Sequence, residues 1–305
     1  MKVLVIGGCG FIGSHIVDLL LEHNYFVRVY DNLSSGFINN LSRHANSANF
    51  EFVLGDIQDS VAVDKACKNI DAICHQAAIV SVTQSVDDPI TTYNVNVNGF
   101  LNVLNCAKNN NIKRFVYASS AAVYGDKCEN AKENEIGDIQ SPYGLHKYTN
   151  ELYANMYTKL YGMECIGLRY FNVYGPRQNA KSPYAGVICK FVDCIQNNNL
   201  PIIFGNGLAV RDFIYVTDIA QANYLALVTQ NNECFGNVFN IGTGNQITIF
   251  ELWKTLKNIY NSELNVEFRE KRKGDIDKSY ANIDHTQKYL KFKFNVDIAN
   301  GLNEI

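Results

Sequence analysis

Short apolar runs, glycine turns and amphipathic stretches alternate along the chain. Residues 3–6 (Val-Leu-Val-Ile) are a continuous apolar run, the pattern of a strand buried on both faces of a parallel sheet. A glycine turn follows, and 14–23 then carries Ile16, Val17, Leu19 and Leu20 at helical spacing. The next run, 26–30, ends at Asp31. The alternation goes on with strands predicted at 50–54, 72–74, 116–119 and 165–168, and helices at 60–69 and 88–109. A further helix carries Tyr143 and Lys147 and runs to about residue 161. Such alternation predicts an α/β fold with a doubly wound parallel sheet, whose ligands gather at the carboxyl ends of the strands. Asp56, the stretch 75–78, Ser119 and Ser120 all fall at such ends.

From residue 175 the texture changes. Loops are expected at 175–178 and 181–183, a helix at 188–196, a strand at 201–204 and a turn at 205–207. A strand at 211–216, a helix at 218–230 capped by Thr217 or Asp218, a strand at 237–241 and a helix at 250–260 complete the pattern. The expected organisation is a nucleotide-binding Rossmann domain over 1–174, with strand and helix returns from the later chain, and a smaller α/β substrate lobe mainly over 175–305.

Composition narrows the class. The chain has 305 residues, of which 47% are apolar, enough for a substantial core, and its net charge of −3 gives no footprint for nucleic acid. Nine cysteines, an odd number without Cys-x-x-Cys spacing, argue for reduced thiols and against a structural zinc, so no metal is expected. No apolar stretch reaches membrane-spanning length, and glycines break the N-terminal apolar run too early for a signal peptide. A cytoplasmic protein is expected.

Two patterns carry chemistry. Gly8-x-Gly10-x-x-Gly13 sits between a strand and a helix, and Asp31 ends the next strand at close to the ~20-residue spacing of a dinucleotide site. Glycines let the backbone approach a pyrophosphate, the helix N-terminus attracts its charge, and the carboxylate accepts from a ribose diol. Asp31 would repel a 2′-phosphate, which favours NAD over NADP. The second pattern is Tyr143 and Lys147, four apart on one helix face, where an ammonium favours phenolate formation.

With Gly7-x-x-Gly10-x-x-Gly13, Asp31-Asn-Leu-x-x-Gly36, Ser120/Tyr143/Lys147 and the stretch Arg169-Tyr-Phe-Asn-Val-Tyr-Gly-Pro176, nearly the whole chain resembles an extended short-chain dehydrogenase/reductase of the nucleotide-sugar branch. The resemblance implies Ser120, Tyr143 and Lys147 as catalytic residues. It implies NAD contacts from Gly7, Gly10, Phe11, Ile12, Gly13, Asp31, Asn32, Gly36, Asp56 and Ile57. Gln76, Ala77, Ala78, Asn96, Tyr143, Lys147 and Tyr170 complete that set. A uridine diphosphate sugar would then meet Ser81, Ser119, Ser120, Tyr143, Asn172, Gln178, Val187, Ile202, Phe204, Arg211, Arg272, Asp275 and Ser279.

Where similar 4,6-dehydratases carry Asp-Glu, this chain has Ala121-Ala122, so the resemblance points to epimerisation at C4. It is closest to the epimerases of N-acetylated UDP-hexosamines, sharing 75–78, Ser81-Val82, 170–175, Arg177-Gln178 and 182–185. The small Ser279 stands where epimerases restricted to non-acetylated sugars can carry Tyr. UDP-glucose or UDP-glucuronate epimerisation, and a non-enzymatic NAD-binding regulator, are the alternatives. A homodimer is implied, through helices around 88–109 and 141–161.

Overall fold

In the computed structural model, which describes residues 1–179, 186–271 and 275–305, the apolar runs of the first half become β1 (Lys2–Ile6), β2 (Phe26–Asp31), β3 (Phe50–Leu54), β4 (Ala72–His75), β5 (Arg114–Ser120) and β6 (Glu164–Tyr170). Their helices are α1 (Phe11–Glu22), α2 (Ser60–Ala66), α3 (Val82–Asp87), α4 (Pro89–Tyr93), α5 (Phe100–Asn109) and α6 (Pro142–Tyr161). The second half supplies the strands β7 (Asn172–Tyr174), β8 (Ile202–Phe204), β9 (Val210–Arg211), β10 (Phe213–Tyr215) and β11 (Val238–Ile241). It continues with β12 (Ile247–Thr248), β13 (Glu267–Arg269) and β14 (Lys278–Ser279). Its helices are α7 (Val187–Gln196), α8 (Val216–Val228), α9 (Ile249–Ile259), α10 (Asp284–Tyr289) and α11 (Ile298–Leu302).

Seven strands form one parallel sheet in the order β11-β6-β5-β4-β1-β2-β3. This is the doubly wound Rossmann arrangement expected from the alternation. β1 lies between β2 and β4, so the strand order reverses there, and the crevice at its carboxyl end is the place such sheets bind ligands. Side chains of β1 leave alternately to the two faces. Val3 and Val5 pack with Ile16, Val17 and Leu20 of α1 and with Ile219 and Ala222 of α8, whereas Leu4 and Ile6 pack with Val63, Val103, Leu104 and Ala154 from α2, α5 and α6. Fully burying each of these branched side chains contributes about 1.5–3 kcal/mol, which explains why the sheet needs helices on both faces.

β11 joins the large sheet beside β6, and α8 covers its α1 face, so the chain beyond 175 contributes to that sheet as well as to the smaller lobe. In the smaller lobe β13 pairs with β8, β9 lies between β12 and β14, and β7 pairs with β10. Ile188 and Phe191 of α7 pack there with Trp253 and Leu256 of α9.

The structure departs from the pattern in three places. The helix expected over 88–109 is α4, a six-residue π-helical segment Asn94–Gly99, and α5. Gly99 lies against Ile57 there, and Asn96 is turned towards the loop at Ile79. The strand expected at 211–216 is split into β9 and β10 around the buried Asp212. Finally, α8 starts at Val216 with no side-chain cap, so neither Thr217 nor Asp218 caps it. Asp218 instead accepts from the backbone N–H groups of Asn295 (2.9 Å) and Val296 (3.2 Å), fastening the C-terminal segment.

Candidate active site

The glycine turn after β1 is shaped by close backbone contact. Gly7 has φ +78°, and a Cβ there would sit 2.6 Å from the Ala77 nitrogen, so a side chain would drive β1 and the loop after β4 apart. At Gly13 a Cβ would lie 2.1 Å from the Gly7 carbonyl oxygen, so α1 can begin this close to β1 only with glycine. No side chain caps α1, which leaves first-turn N–H groups of Phe11 and Ile12 for an anion.

Asp31 ends β2 beside this turn. One of its oxygens accepts from the Cys9 N–H (2.9 Å) and the other from that of Leu33 (2.8 Å), which holds the carboxylate in place and leaves lone pairs for a diol. Asn32 donates to Asp56 at 2.9 Å, Ile57 is buried next to it, and Gly36 lies against the Cys9–Gly10 backbone. A free helix N-terminus, a close backbone turn and a fixed carboxylate fit the pyrophosphate and ribose of a dinucleotide.

Beyond β4, Gln76, Ala77 and Ala78 run across the crevice. The Gln76 side chain and the Tyr170 hydroxyl share a buried network with Asn223 of α8: Gln76 donates to the Asn223 oxygen at 3.1 Å, and Tyr170 to the Gln76 oxygen at 3.1 Å. Asn96 grips Ile79 by both its N–H (2.8 Å) and its C=O (2.9 Å), so this residue fixes the loop after Ala78. Ser81 caps α3 by accepting from the Gln84 N–H at 2.9 Å.

The chemistry-bearing side chains meet at the ends of β5 and α6. Ser120 opens a 3-10 turn, accepting from the Ala122 N–H at 3.1 Å, and hydrogen-bonds the Tyr143 hydroxyl. Ala121 and Ala122 form that turn, and Gly144 of α6 packs against the Ala122 carbonyl. Tyr143 stands in the first turn of α6, with its N–H bonded to Ser85 at 3.0 Å, and Lys147 follows one turn on, donating to the Ala118 carbonyl at 2.9 Å. The lysine nitrogen is 5.8 Å from the Tyr143 ring centre.

Burial opposes charge on both groups. It pushes the Tyr143 hydroxyl up to about 12, against a smaller lowering by the Ser120 hydrogen bond. It pulls Lys147 down to about 8, with the Glu151 carboxylate opposing that fall. The Tyr143/Lys147 spacing leads to the expectation of a lowered phenol, whereas in the structure burial sets the direction of the Tyr143 shift. Ser119, expected against the substrate, is buried and donates to Glu151 at 2.5 Å.

A cleft of about 270 Å³ opens beside Asn172. Of the expected substrate residues, Asn172, Val187, Ile202, Phe204, Arg211 and Asp275 line it together. Gln178 lines a smaller adjoining cleft that shares Asn172 and Val187. Arg272 lies outside the described residues. Ser279 is on β14, paired in register with Arg211. Burial pulls the Arg211 guanidinium down from its ordinary value, and Asp275 opposes this, so the cleft holds a partly desolvated cation facing a carboxylate. Lys271 and Asp277, an ion pair on the cleft wall, were missed in the sequence although they flank Arg272 and Asp275 in one charged stretch. Asn223 was missed too, and the one signal for it was an amide within the apolar pattern of its helix. Among the described residues no group of three His, Cys, Asp or Glu side chains could hold a metal.

Comparison with known proteins agrees with this geometry. The model of the NAD dependent epimerase/dehydratase family matches residues 3–242. A putative UDP-glucose 4-epimerase of Methanocaldococcus jannaschii is 40% identical, over 99% of this chain and 96% of that one. The solved structure of a UDP-N-acetylglucosamine 4-epimerase from Methanobrevibacter ruminantium, in complex with UDP-N-acetylmuramic acid, superposes with a TM-score of 0.94 at 39% identity, covering 99% of this chain and 96% of that one. A UDP-glucose 4-epimerase of Thermotoga maritima with UDP-glucose gives 0.92 at 37% identity, with the same coverage. With its glycine turn, fixed Asp31 and Ser120/Tyr143/Lys147 cluster, the chain belongs to the NAD dependent epimerase/dehydratase family.

Proposed function

We propose that this protein inverts the C4 hydroxyl of a UDP-hexose, interconverting UDP-N-acetylglucosamine and UDP-N-acetylgalactosamine by preference. The observation that carries the reading is the pairing of an intact Ser120/Tyr143/Lys147 cluster with the carboxylate-free turn Ala121–Ala122. Such a site can move a proton on a hydroxyl but offers no second acid or base at that turn for eliminating water.

NAD, when bound, supplies a reversible hydride acceptor; Gly7 to Gly13, Asp31, Asn32, Gly36 and Asp56 would hold its adenosine diphosphate half, and Gln76 to Ala78, Tyr143, Lys147 and Tyr170 its nicotinamide half. Tyr143 Oη takes the proton from the sugar O4 and returns it after the ring has turned over. Ser120 Oγ holds the same oxygen by a hydrogen bond. Lys147, protonated, favours the phenolate form of Tyr143 as the proton moves. Asn172, Val187, Ile202, Phe204, Arg211, Arg272 and Asp275 anchor the uridine diphosphate, and that anchor keeps the 4-keto sugar bound while it presents its other face. Arg211 gives forked donors to the diphosphate, and Asp275 accepts from the ribose.

Preference for the 2-acetamido sugar rests on Ser279, a small residue that pairs in register with Arg211 of the cleft. UDP-glucose is the second reading, favoured by the names of the Methanocaldococcus and Thermotoga proteins. Incubation with UDP-N-acetylglucosamine, UDP-glucose and UDP-glucuronate in the presence of NAD, followed by separation of the products, tests both. UDP-N-acetylgalactosamine is the expected main product; conversion of no UDP-hexose defeats the assignment.

A homodimer is part of the proposal. Leu145, Leu152, Met156 and Leu160 are exposed along one side of α6, and Val82, Val86, Ile90 and Tyr93 are exposed on α3 and α4, which pack beside it. All nine cysteines are free thiols, which supports a reducing, cytoplasmic setting. Among the described residues no helix is long and apolar enough to cross a membrane.

A further inference from the structure

Arg169 opens the 169–176 motif, and Glu151 lies one turn beyond Lys147, yet neither lines the cleft beside Asn172. Their side chains are 2% and 5% exposed and form a bidentate pair, Nε to Oε1 at 2.9 Å and Nη2 to Oε2 at 2.7 Å. The same Glu151 Oε1 accepts from Ser119 Oγ at 2.5 Å. Nη1 of Arg169 donates to the Tyr124 hydroxyl and to the Glu133 carbonyl, both at 2.9 Å, and Tyr124 donates onward to Asn240 of β11 at 2.5 Å. One carboxylate thus ties α6 to β5 through the neighbour of Ser120, and to β6 through the neighbour of Tyr170.

Tyr143, Lys147 and Glu151 occupy successive turns on one face of α6. A buried ion pair is a weak source of net stability compared with apolar packing, so its position behind the catalytic face suits geometry and charge better than stability. We propose that Glu151 is a positioning residue: held by Arg169 and Ser119, it fixes α6 against the ends of β5 and β6 and places one negative charge beside the Lys147 ammonium.

The groups around Lys147 agree. On its own helix these are Tyr143, His146 and Glu151; from β4 comes His75, and behind Glu151 stand Tyr117 of β5 and Arg169 of β6. Burial holds His75 neutral, down to about 3, and lowers His146 as well, so neither adds positive charge at neutral pH. Burial also keeps Tyr143 and Tyr117 in their neutral forms. Among the described residues Glu151 is the anion that offsets the desolvation of Lys147.

This role rests on the reading of Lys147 as the partner of Tyr143 in C4 inversion. The test is a carbon-13 NMR titration of the lysine-labelled full chain, with Lys147 assigned through Lys147→Arg, beside the pH profile of kcat. In Glu151→Gln the Lys147 resonance is expected to titrate roughly one pH unit lower than in the parent protein, and the alkaline limb of kcat to move with it. At pH 8 kcat should fall about tenfold with KM for the UDP-sugar within about threefold, and Glu151→Asp should recover most of the loss. If Glu151→Gln does not fold, Ser119→Ala cuts one link and leaves every charge in place; it should lower kcat about threefold at unchanged KM. An unmoved Lys147 titration with unchanged kcat in folded Glu151→Gln, or unchanged kcat in Ser119→Ala, overturns the proposal. A parent protein inactive on every UDP-hexose would defeat the functional reading instead, and the NMR titration would still decide the role of Glu151.

Discussion

Tyr143, Lys147 and His75 are all buried, and burial shifts each of them towards its neutral form. His75 sets the size of this effect, because its ring lies between Phe115 (6.1 Å, stacked) and Phe100 (5.3 Å, edge on) with 3% of its surface exposed. Burial, with Lys147 adding to it, takes its pKa from 6.5 to about 3. The unfolded chain gains this proton below about pH 6.5 and the folded chain only near 3, so folding loses stability as pH falls between those values. His75→Leu should therefore make stability roughly 2–3 kcal/mol less dependent on pH between 7 and 4. Urea midpoints at the two pH values measure this, and an unchanged dependence would show that His75 titrates normally.

At the scale of elements, Asp18 joins the cofactor helix to the loop after β7. It lies on α1, nearly buried, and pairs with Arg177 (2.6 Å), Arg43 (2.8 Å) and His44 (2.7 Å), while His15 of the same helix meets the Pro176 carbonyl at 3.1 Å. Arg177 holds φ +68°, a conformation that costs a non-glycine residue energy and persists because its guanidinium is fixed here. Burial alone would raise the Asp18 pKa, but the His44 and Arg177 hydrogen bonds outweigh it and lower it. The contribution is therefore present above the ordinary carboxylate range and is lost as pH falls through the depressed folded value. Asp18→Asn should destabilise by about 2 kcal/mol, discounted because Arg43 is half exposed, and should raise KM for the UDP-sugar more than it lowers kcat. Thermal melts together with steady-state kinetics check this; a melt shift with unchanged KM would confine the residue to a structural role.

Periodicity located these elements because sheet strands and amphipathic helices have distinct repeats. It failed where tertiary contacts took over: the π-helical turn at Asn94–Gly99, where Gly99 meets Ile57, and the break at Asp212, whose carboxylate accepts from Thr243, Gly244 and Ala281. The start of α8 was misread for a similar reason, since Asp218 serves a partner nearly eighty residues away in sequence rather than its own helix end.

For the whole molecule, the dinucleotide half of the site was legible because its glycines, Asp31 and the Tyr143/Lys147 pair obey local spacing rules. The cleft beside Asn172 was not, because Asn172, Ile202, Arg211 and Asp275 meet only after β7, β8 and β9 have folded together. Resemblance alone joined them beforehand. The Glu151–Arg169 pair escaped both, being a contact between a helix and a strand end with no local signal. The exposed apolar side of α6 belongs to this scale as well. Sedimentation should show a dimer, and Leu152→Glu with Leu160→Glu should give a folded monomer by placing charge on that face; a monomeric parent protein would refute the dimer.

In the proposed reaction C4 is inverted by removing and returning its own hydrogen while Tyr143 handles the hydroxyl proton. The most direct measurement is product analysis after incubating UDP-N-acetylglucosamine carrying deuterium at C4 in ordinary water, with the parent protein and with Tyr143→Phe. Retention of deuterium at C4 of the UDP-N-acetylgalactosamine formed is predicted, with turnover lowered about 10²–10⁴-fold in Tyr143→Phe. Loss of the label to water, or full turnover by Tyr143→Phe, would contradict the account.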